Sequence, residues 1–254
     1  MMRTLFTLIV VALATAVLGP VVLVAGLFRV REKPGGIYHA CMHVWARLAI
    51  RASGTRIVVH GADRMSPTDG VVYIANHVSW FDVFALAATL PRYSFIAKSE
   101  LRKIPLFGPA AAAAGIVFLE RDNRKQAFQS YQGAAAQVRD GRSVVVYPEG
   151  TRGRDYPLRP FKKGPFVLAI ASGAPIVPTL IYGAREVMPR GSFRIRPGEI
   201  HVHFLDPVPT AGLSYDDRGA LMTRVWQRMA DGLHERYGVA RTDRPIANPN
   251  ERVI

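Results

Sequence analysis

Val71-Val72-Tyr73-Ile74-Ala75-Asn76-His77-Val78-Ser79-Trp80-Phe81-Asp82 is the stretch on which the fold turns. Residues 71–75 form a short, nearly continuous apolar run, the pattern of a strand buried on both faces. A polar turn follows, and 80–90 then reads as a helix. The same order of events returns at 143–152, where an apolar run 143–147 leads into Pro148-Glu149-Gly150-Thr151-Arg152. Working outward, further strands read at 56–60, 94–97, 115–119, 176–181 and 200–205. Helices read at 105–114, 124–140, 164–172 and 215–237. Strands alternating with helices predict an α/β domain, a central sheet covered by helices, over residues 54–239. The tail 240–254 is polar with two prolines and reads as flexible.

Upstream of this domain the chain changes character. From Thr4 to Phe28 no residue is charged. As a helix these 25 residues would reach roughly 37 Å, enough to cross a hydrocarbon core of about 30 Å. Gly19-Pro20 falls midway, so the segment reads either as a span or as a kinked, re-entrant hairpin. The alanines at 12, 14 and 16 resemble a signal-peptide cleavage site, but the apolar run continues well beyond them. Arg29, Arg31 and Lys33 follow the run and only Arg3 precedes it, which predicts a cytoplasmic location for the rest of the chain. Residues 37–53 read as a second helix with apolar positions at three- and four-residue steps. It lies either on the membrane surface, with Trp45 at headgroup level, or against the core. Residues 1–53 thus form an N-terminal membrane-anchoring unit.

Composition narrows the function. Among the 254 residues, the hydrophobic share of 49% excludes a disordered chain. A single cysteine, Cys41, excludes a disulfide scaffold and a Cys-rich zinc module. Thirty-three Lys and Arg against 19 Asp and Glu give a net charge of +14, which calls for a polyanionic partner. Residues 92–125 and 139–163 each carry seven basic and three acidic side chains, mostly in loops after strands. A nucleic-acid-binding protein would show an exposed basic face with interleaved aromatics instead. The pattern favours a phosphorylated ligand at an anionic membrane surface, with no nucleic acid.

His77 and Asp82 stand at the end of a strand, where open α/β sheets place their ligand sites. A carboxylate on one imidazole nitrogen fixes the tautomer and raises the basicity of the other, which can then take a proton from a hydroxyl. Taken alone, His-x4-Asp reads first as a helix-capping Asp beside a packed His, since the spacing recurs often by chance. No Gly-x-Ser-x-Gly elbow is present, so a serine hydrolase is unsupported. Arg152, closing a glycine turn, is a bidentate phosphate donor. Lys98 and Arg121 follow two further strands. Lys162 and Lys163 open the helix 164–172, an anion-friendly terminus. His39 and His43 are four apart on a helix, with no third metal ligand near them in sequence, and no metal or cofactor is expected.

His77–Asp82, the Lys98 to Arg121 block with Gly108 inside it, Glu149-Gly150-Thr151-Arg152 and Ala174-Pro175-Ile176-Val177-Pro178 occur in this order. The chain thereby resembles the PlsC-type glycerophospholipid acyltransferases, the 1-acylglycerol-3-phosphate (lysophosphatidic acid) acyltransferases most of all. The resemblance spans about 54–210. It implies a mixed central β-sheet flanked by helices, behind a membrane-anchoring segment. It also implies acyl transfer from acyl-CoA or acyl carrier protein to the sn-2 hydroxyl of lysophosphatidic acid, giving phosphatidic acid, at the cytoplasmic face of the inner membrane. His77 and Asp82 would be catalytic. Lys98, Arg121, Glu149, Gly150, Thr151 and Arg152 would bind substrate. From the residues alone, Phe107 with 110–114 offers small and aromatic walls for an acyl groove, although ordinary helix packing is the first reading of that stretch. Another lyso-lipid acceptor, such as lyso-ornithine lipid, would leave the His–Asp pair unchanged. A basic membrane-tethered binding protein is the more distant alternative.

Overall fold

The computed structural model describes residues 1–66, 68–120 and 123–242. Arg121 and residues 243–254, most of the expected flexible tail, lie outside the described residues.

The sheet has seven strands: β1 (Arg56–His60), β2 (Val72–Ala75), β3 (Tyr93–Lys98), β4 (Val117–Leu119), β5 (Ser143–Val146), β6 (Ile176–Tyr182) and β7 (Glu199–Phe204). Their order across the sheet is β1-β7-β6-β2-β5-β3-β4. Every pairing is parallel except β6 with β7, so β1 and β7 run against the other five. The sheet is therefore mixed, with β2 and β5 side by side near its middle. Both are buried at every position.

Two helical layers cover the sheet. On one face Tyr73, Ala75, Val145 and Val177 pack against α2 (Ile37–Ser53) and α3 (Phe81–Thr89). On the other, Val72, Ile74, Val144 and Val146 pack against α5 (Arg124–Arg139), α6 (Gly164–Ser172) and α8 (Arg218–Tyr237). Successive residues of a strand serve opposite faces, which is why β2 and β5 had to be apolar throughout. The helix α4 (Phe107–Ala113) precedes β4, and a single turn, α7 (Ala184–Val187), follows β6. Asn76, just past β2, continues the ladder with its side chain: its Nδ2 donates to the Ile181 carbonyl at 2.9 Å and its Oδ1 accepts from the Ile181 N–H at 2.8 Å.

The N-terminal helix α1 (Met2–Leu27) runs through Pro20 without interruption, so the re-entrant hairpin is not what forms. An apolar helix tolerates one lost backbone bond where a neighbouring helix packs on it. Here α2 and α4 do so, through Val22, Ala25, Cys41, Ala110 and Ala114. By length and composition α1 can cross a membrane, and most of its surface is uncovered by the protein. The helix α2 packs on the core: Trp45 donates through Nε1 to Thr15 Oγ1 at 2.9 Å and lies against Phe84 and Phe107. It ends at Gly54, whose φ of +69° lets the Thr55 N–H fold back onto the Ile50 carbonyl.

Candidate active site

The loops after β2 and β5 lie side by side because their strands do. His77 leaves β2 and is held on four sides. Its Nδ1 meets Asp82 Oδ2 at 2.7 Å. Its backbone N–H donates to Glu149 Oε1 at 2.9 Å. Its carbonyl accepts from the Gly153 N–H at 2.7 Å. The ring stacks on Tyr147, with centroids 4.0 Å apart and planes 18° from parallel. Such a residue has no freedom to reorient, which is the preorganisation that proton transfer requires.

Asp82 stands in the first turn of α3, fully buried. The same Oδ2 that meets His77 also accepts the N–H groups of Val78 and Ser79, at 2.7 and 2.8 Å. Two fixed donors thus pin the carboxylate oxygen onto the imidazole. Ser79 ties this turn down, donating from Oγ to the Met188 carbonyl at 2.7 Å and accepting the Phe81 N–H at 3.1 Å. With Nδ1 occupied, Nε2 is the nitrogen left for a proton from a ligand.

Glu149 bridges the two loops. Besides the His77 N–H, it accepts the Arg159 N–H on Oε2 at 3.3 Å. Burial outweighs these two hydrogen bonds and pushes its carboxyl up to about 7. Gly150 has a φ of +74°, and a Cβ there would come within 2.7 Å of Lys162 Cε. The left-handed turn is what requires glycine, and the lysine end lies close against it.

His77 opens onto a cavity of about 520 Å³. The basic groups on its wall are Lys98, Arg152 and Lys162, together with Gly150 and Thr151. Lys98 pairs with Glu100 at 3.3 Å. Arg152 lies over the Trp80 ring, 5.0 Å from its centroid. Its carbonyl accepts from Arg190 Nη1 at 2.6 Å. Desolvation and the nearby Arg190 charge lower the Arg152 pKa, so a bound anion would gain from two converging cations. Away from this basic end the wall turns apolar, with Phe84, Phe107, Ala110, Ala114 and, from α1, Leu18 and Val22. A cavity cationic at one end and greasy at the other fits an anionic amphiphile.

Of the residues expected at the site, His77, Asp82, Lys98, Glu149, Gly150, Thr151 and Arg152 converge here, and Arg121 lies outside the described residues. Lys162 joins the cavity, whereas Lys163 is exposed beside it. Sequence reasoning missed Tyr147, Trp80 and Arg190. Tyr147 and Trp80 sit inside stretches already singled out, but aromatic stacking leaves no spacing signal, and Arg190 arrives from a distant loop.

The Acyltransferase family model matches residues 56–182. The human 1-acyl-sn-glycerol-3-phosphate acyltransferase alpha is 36% identical over 185 residues, 72% of this chain and 65% of that protein. The chloroplastic 1-acyl-sn-glycerol-3-phosphate acyltransferase BAT2 of Brassica napus is 32% identical over 173 residues, 67% of this chain and 50% of that protein. The chain thus spans half to about two thirds of the length of these curated relatives. The crystal structure of the 1-acyl-sn-glycerophosphate (LPA) acyltransferase PlsC from Thermotoga maritima has the same fold. It superposes with a TM-score of 0.77 at 22% identity, over 94% of this chain and 97% of that one. With the family model lying across β1 to β6 and across both loops that grip His77, this chain belongs to the Acyltransferase family.

Proposed function

We propose that the protein transfers a fatty acyl chain from a thioester donor, acyl-CoA or acyl carrier protein, to the sn-2 hydroxyl of lysophosphatidic acid, giving phosphatidic acid. The observation that carries this reading is the four-sided hold on His77 at the mouth of a cavity that is basic at one end and apolar at the other. His77 Nε2 takes the proton from the acceptor hydroxyl, and Asp82 stabilises the imidazolium that results. The alkoxide attacks the thioester carbonyl, the tetrahedral adduct collapses, the C–S bond breaks, and the leaving thiolate takes the proton back from His77. Arg152 and Lys98, with Arg121, hold the acceptor phosphate. Glu149 and Gly150 shape that pocket and Thr151 lines it. The apolar walls hold acyl chain.

The names of the relatives support the acceptor, since both curated proteins are 1-acyl-sn-glycerol-3-phosphate acyltransferases. The uncharged run from Thr4 to Phe28 and the basic residues after it support anchoring of residues 1–53 in the inner membrane, with the domain 54–239 on the cytoplasmic face. Purified protein offered acyl-CoA and acyl carrier protein against a panel of lyso-lipids, lyso-ornithine lipid included, tests the assignment. Lysophosphatidic acid should give the highest kcat/KM, and His77→Ala should lower turnover at least 10²-fold while leaving Tm within a few degrees. Wild-type turnover by a folded His77→Ala enzyme would overturn it.

A further inference from the structure

The β1–β7 edge of the sheet carries a second cluster. His60 on β1 stands opposite His203 on β7 in the parallel ladder, and His201 lies two residues before His203. Residues two apart on a strand share a face, so all three imidazoles project from one side of the β1–β7 pair. Each offers a nitrogen within 4.8 Å of the others. From these positions we infer that His60, His201 and His203 form a binding site for a borderline divalent metal ion of the Zn²⁺ class, separate from the acyl-transfer site.

The surroundings of the rings support this. Metal-bound histidines generally engage their second nitrogen with a carboxylate, carbonyl or hydroxyl, which fixes the tautomer and aims the first. His201 does so through Nε2, 2.9 Å from Glu199 Oε1, and Glu199 is itself held by Arg56. His203 does so through Nε2, 2.6 Å from the Tyr237 hydroxyl at the end of α8. These contacts leave Nδ1 of both rings available to an ion. His201 Nδ1 lies 3.1 Å from His60 Nε2. Two nitrogens on a tetrahedral zinc ion stand about 3.3 Å apart, given Zn–N bonds of about 2.0–2.1 Å. In the metal-free arrangement one proton bridges this pair. An ion takes its place, and the His60 proton moves to Nδ1. The His60 ring is stacked on His203, 4.1 Å away and 6° from parallel, and must turn to aim a lone pair at a shared ion. His60 is exposed on the edge strand and has that freedom. Three imidazoles and no thiolate select Zn²⁺, Cu²⁺ or Ni²⁺ over Mg²⁺ or Ca²⁺, with water completing the shell.

Untagged full-length protein in detergent micelles, stripped with a chelator and exchanged into chelator-free buffer, is titrated with Zn²⁺ alone by calorimetry, with Mg²⁺ as control. One Zn²⁺ per chain should bind at micromolar Kd or tighter and raise Tm, and Mg²⁺ should do neither. His60→Ala and His201→Ala should each weaken Zn²⁺ binding at least tenfold, and Glu199→Gln should weaken it about tenfold. Acyltransferase activity of the chelator-treated His60→Ala protein should equal that of chelator-treated wild type, showing that the chain is folded. The inference is overturned if Zn²⁺ binds no tighter than Mg²⁺, or if both variants bind it as wild type does. It is also overturned if binding is lost in His39→Ala instead, which would place the ion on α2.

Discussion

Asp82→Asn separates the charge of this carboxylate from its geometry. An amide oxygen at the Oδ2 position would still face the N–H groups of Val78 and Ser79, both within 2.8 Å, and these two donors force the amide to present oxygen rather than nitrogen to His77. The Nδ1–H tautomer is therefore kept, and the variant loses little but the negative charge. At 2.7 Å, a carboxylate and an imidazolium attract by about 6 kcal/mol with an effective dielectric constant of about 20. An amide oxygen restores part of this as a neutral hydrogen bond of about 1 kcal/mol. The remaining difference corresponds to a fall in kcat of roughly 10³–10⁴, at about 1.4 kcal/mol per tenfold. Stability should change far less. The new NH₂ takes the place of Oδ1, which is buried and has no partner among the described residues. Two unpaired donors there cost about 1–3 kcal/mol, or roughly 3–10 °C in Tm for a domain of this size. The assay is single-turnover thiol release at saturating lysophosphatidate, beside a thermal melt. A folded Asp82→Asn enzyme within tenfold of wild-type turnover would refute the proton-transfer role of the pair.

Arg152→Ala should raise the KM for lysophosphatidate at least tenfold with the donor KM little changed, because charge-assisted hydrogen bonds to phosphate contribute about 1.5–3 kcal/mol each. Arg152→Lys should recover only part of this, and a rise confined to the donor KM would move Arg152 to the donor site. Glu149, raised by burial from its unfolded value of 4.5 to about 7, binds its proton more tightly in the folded chain. Its contribution to stability is full below pH 4.5 and is lost as pH rises through 7, by at most about 3 kcal/mol. Melts from pH 5 to 8.5 should show a smaller fall for Glu149→Gln than for wild type, and equal slopes would reject the shift. Ala111→Phe places a ring on the cavity wall. It should lower kcat/KM for the longest acyl donors more than for short ones, and a uniform loss across chain lengths would place the acyl chain elsewhere.

All seven strands, and every α-helix longer than one turn among the described residues, were legible in the sequence to within two or three residues, because runs such as 71–75 and 143–147 are apolar but for the hydroxyls of Tyr73, Ser143 and Tyr147. The His77–Asp82 contact was legible too, since five residues around a helix start bring the two side chains into reach. The bond from Glu149 to the His77 N–H was not. It joins residues 72 apart, and it exists only because β5 pairs with β2 rather than with another strand. Pairing order leaves no mark in a run of valines. The antiparallel β6–β7 pairing was hidden for the same reason. His39 and His43, four apart on one helix, stand out in the sequence, yet they bind the Leu90 and Ala87 carbonyls. His60 meets His201 and His203 only through the ladder of β1 and β7.

Because α1 lends Thr15, Leu18, Gly19 and Val22 to the cavity, the apolar segment is part of the cavity wall as well as the proposed anchor. Deleting it to obtain a more tractable protein would leave His77, Asp82 and Arg152 in place while opening the greasy half of the pocket to water. Such a truncated form should retain its fold and bind phosphate-bearing headgroups, yet discriminate poorly among tails. With α1 in the bilayer as proposed, this wall would give lipid a lateral route, by which a substrate would slide into the cavity without ever entering solution.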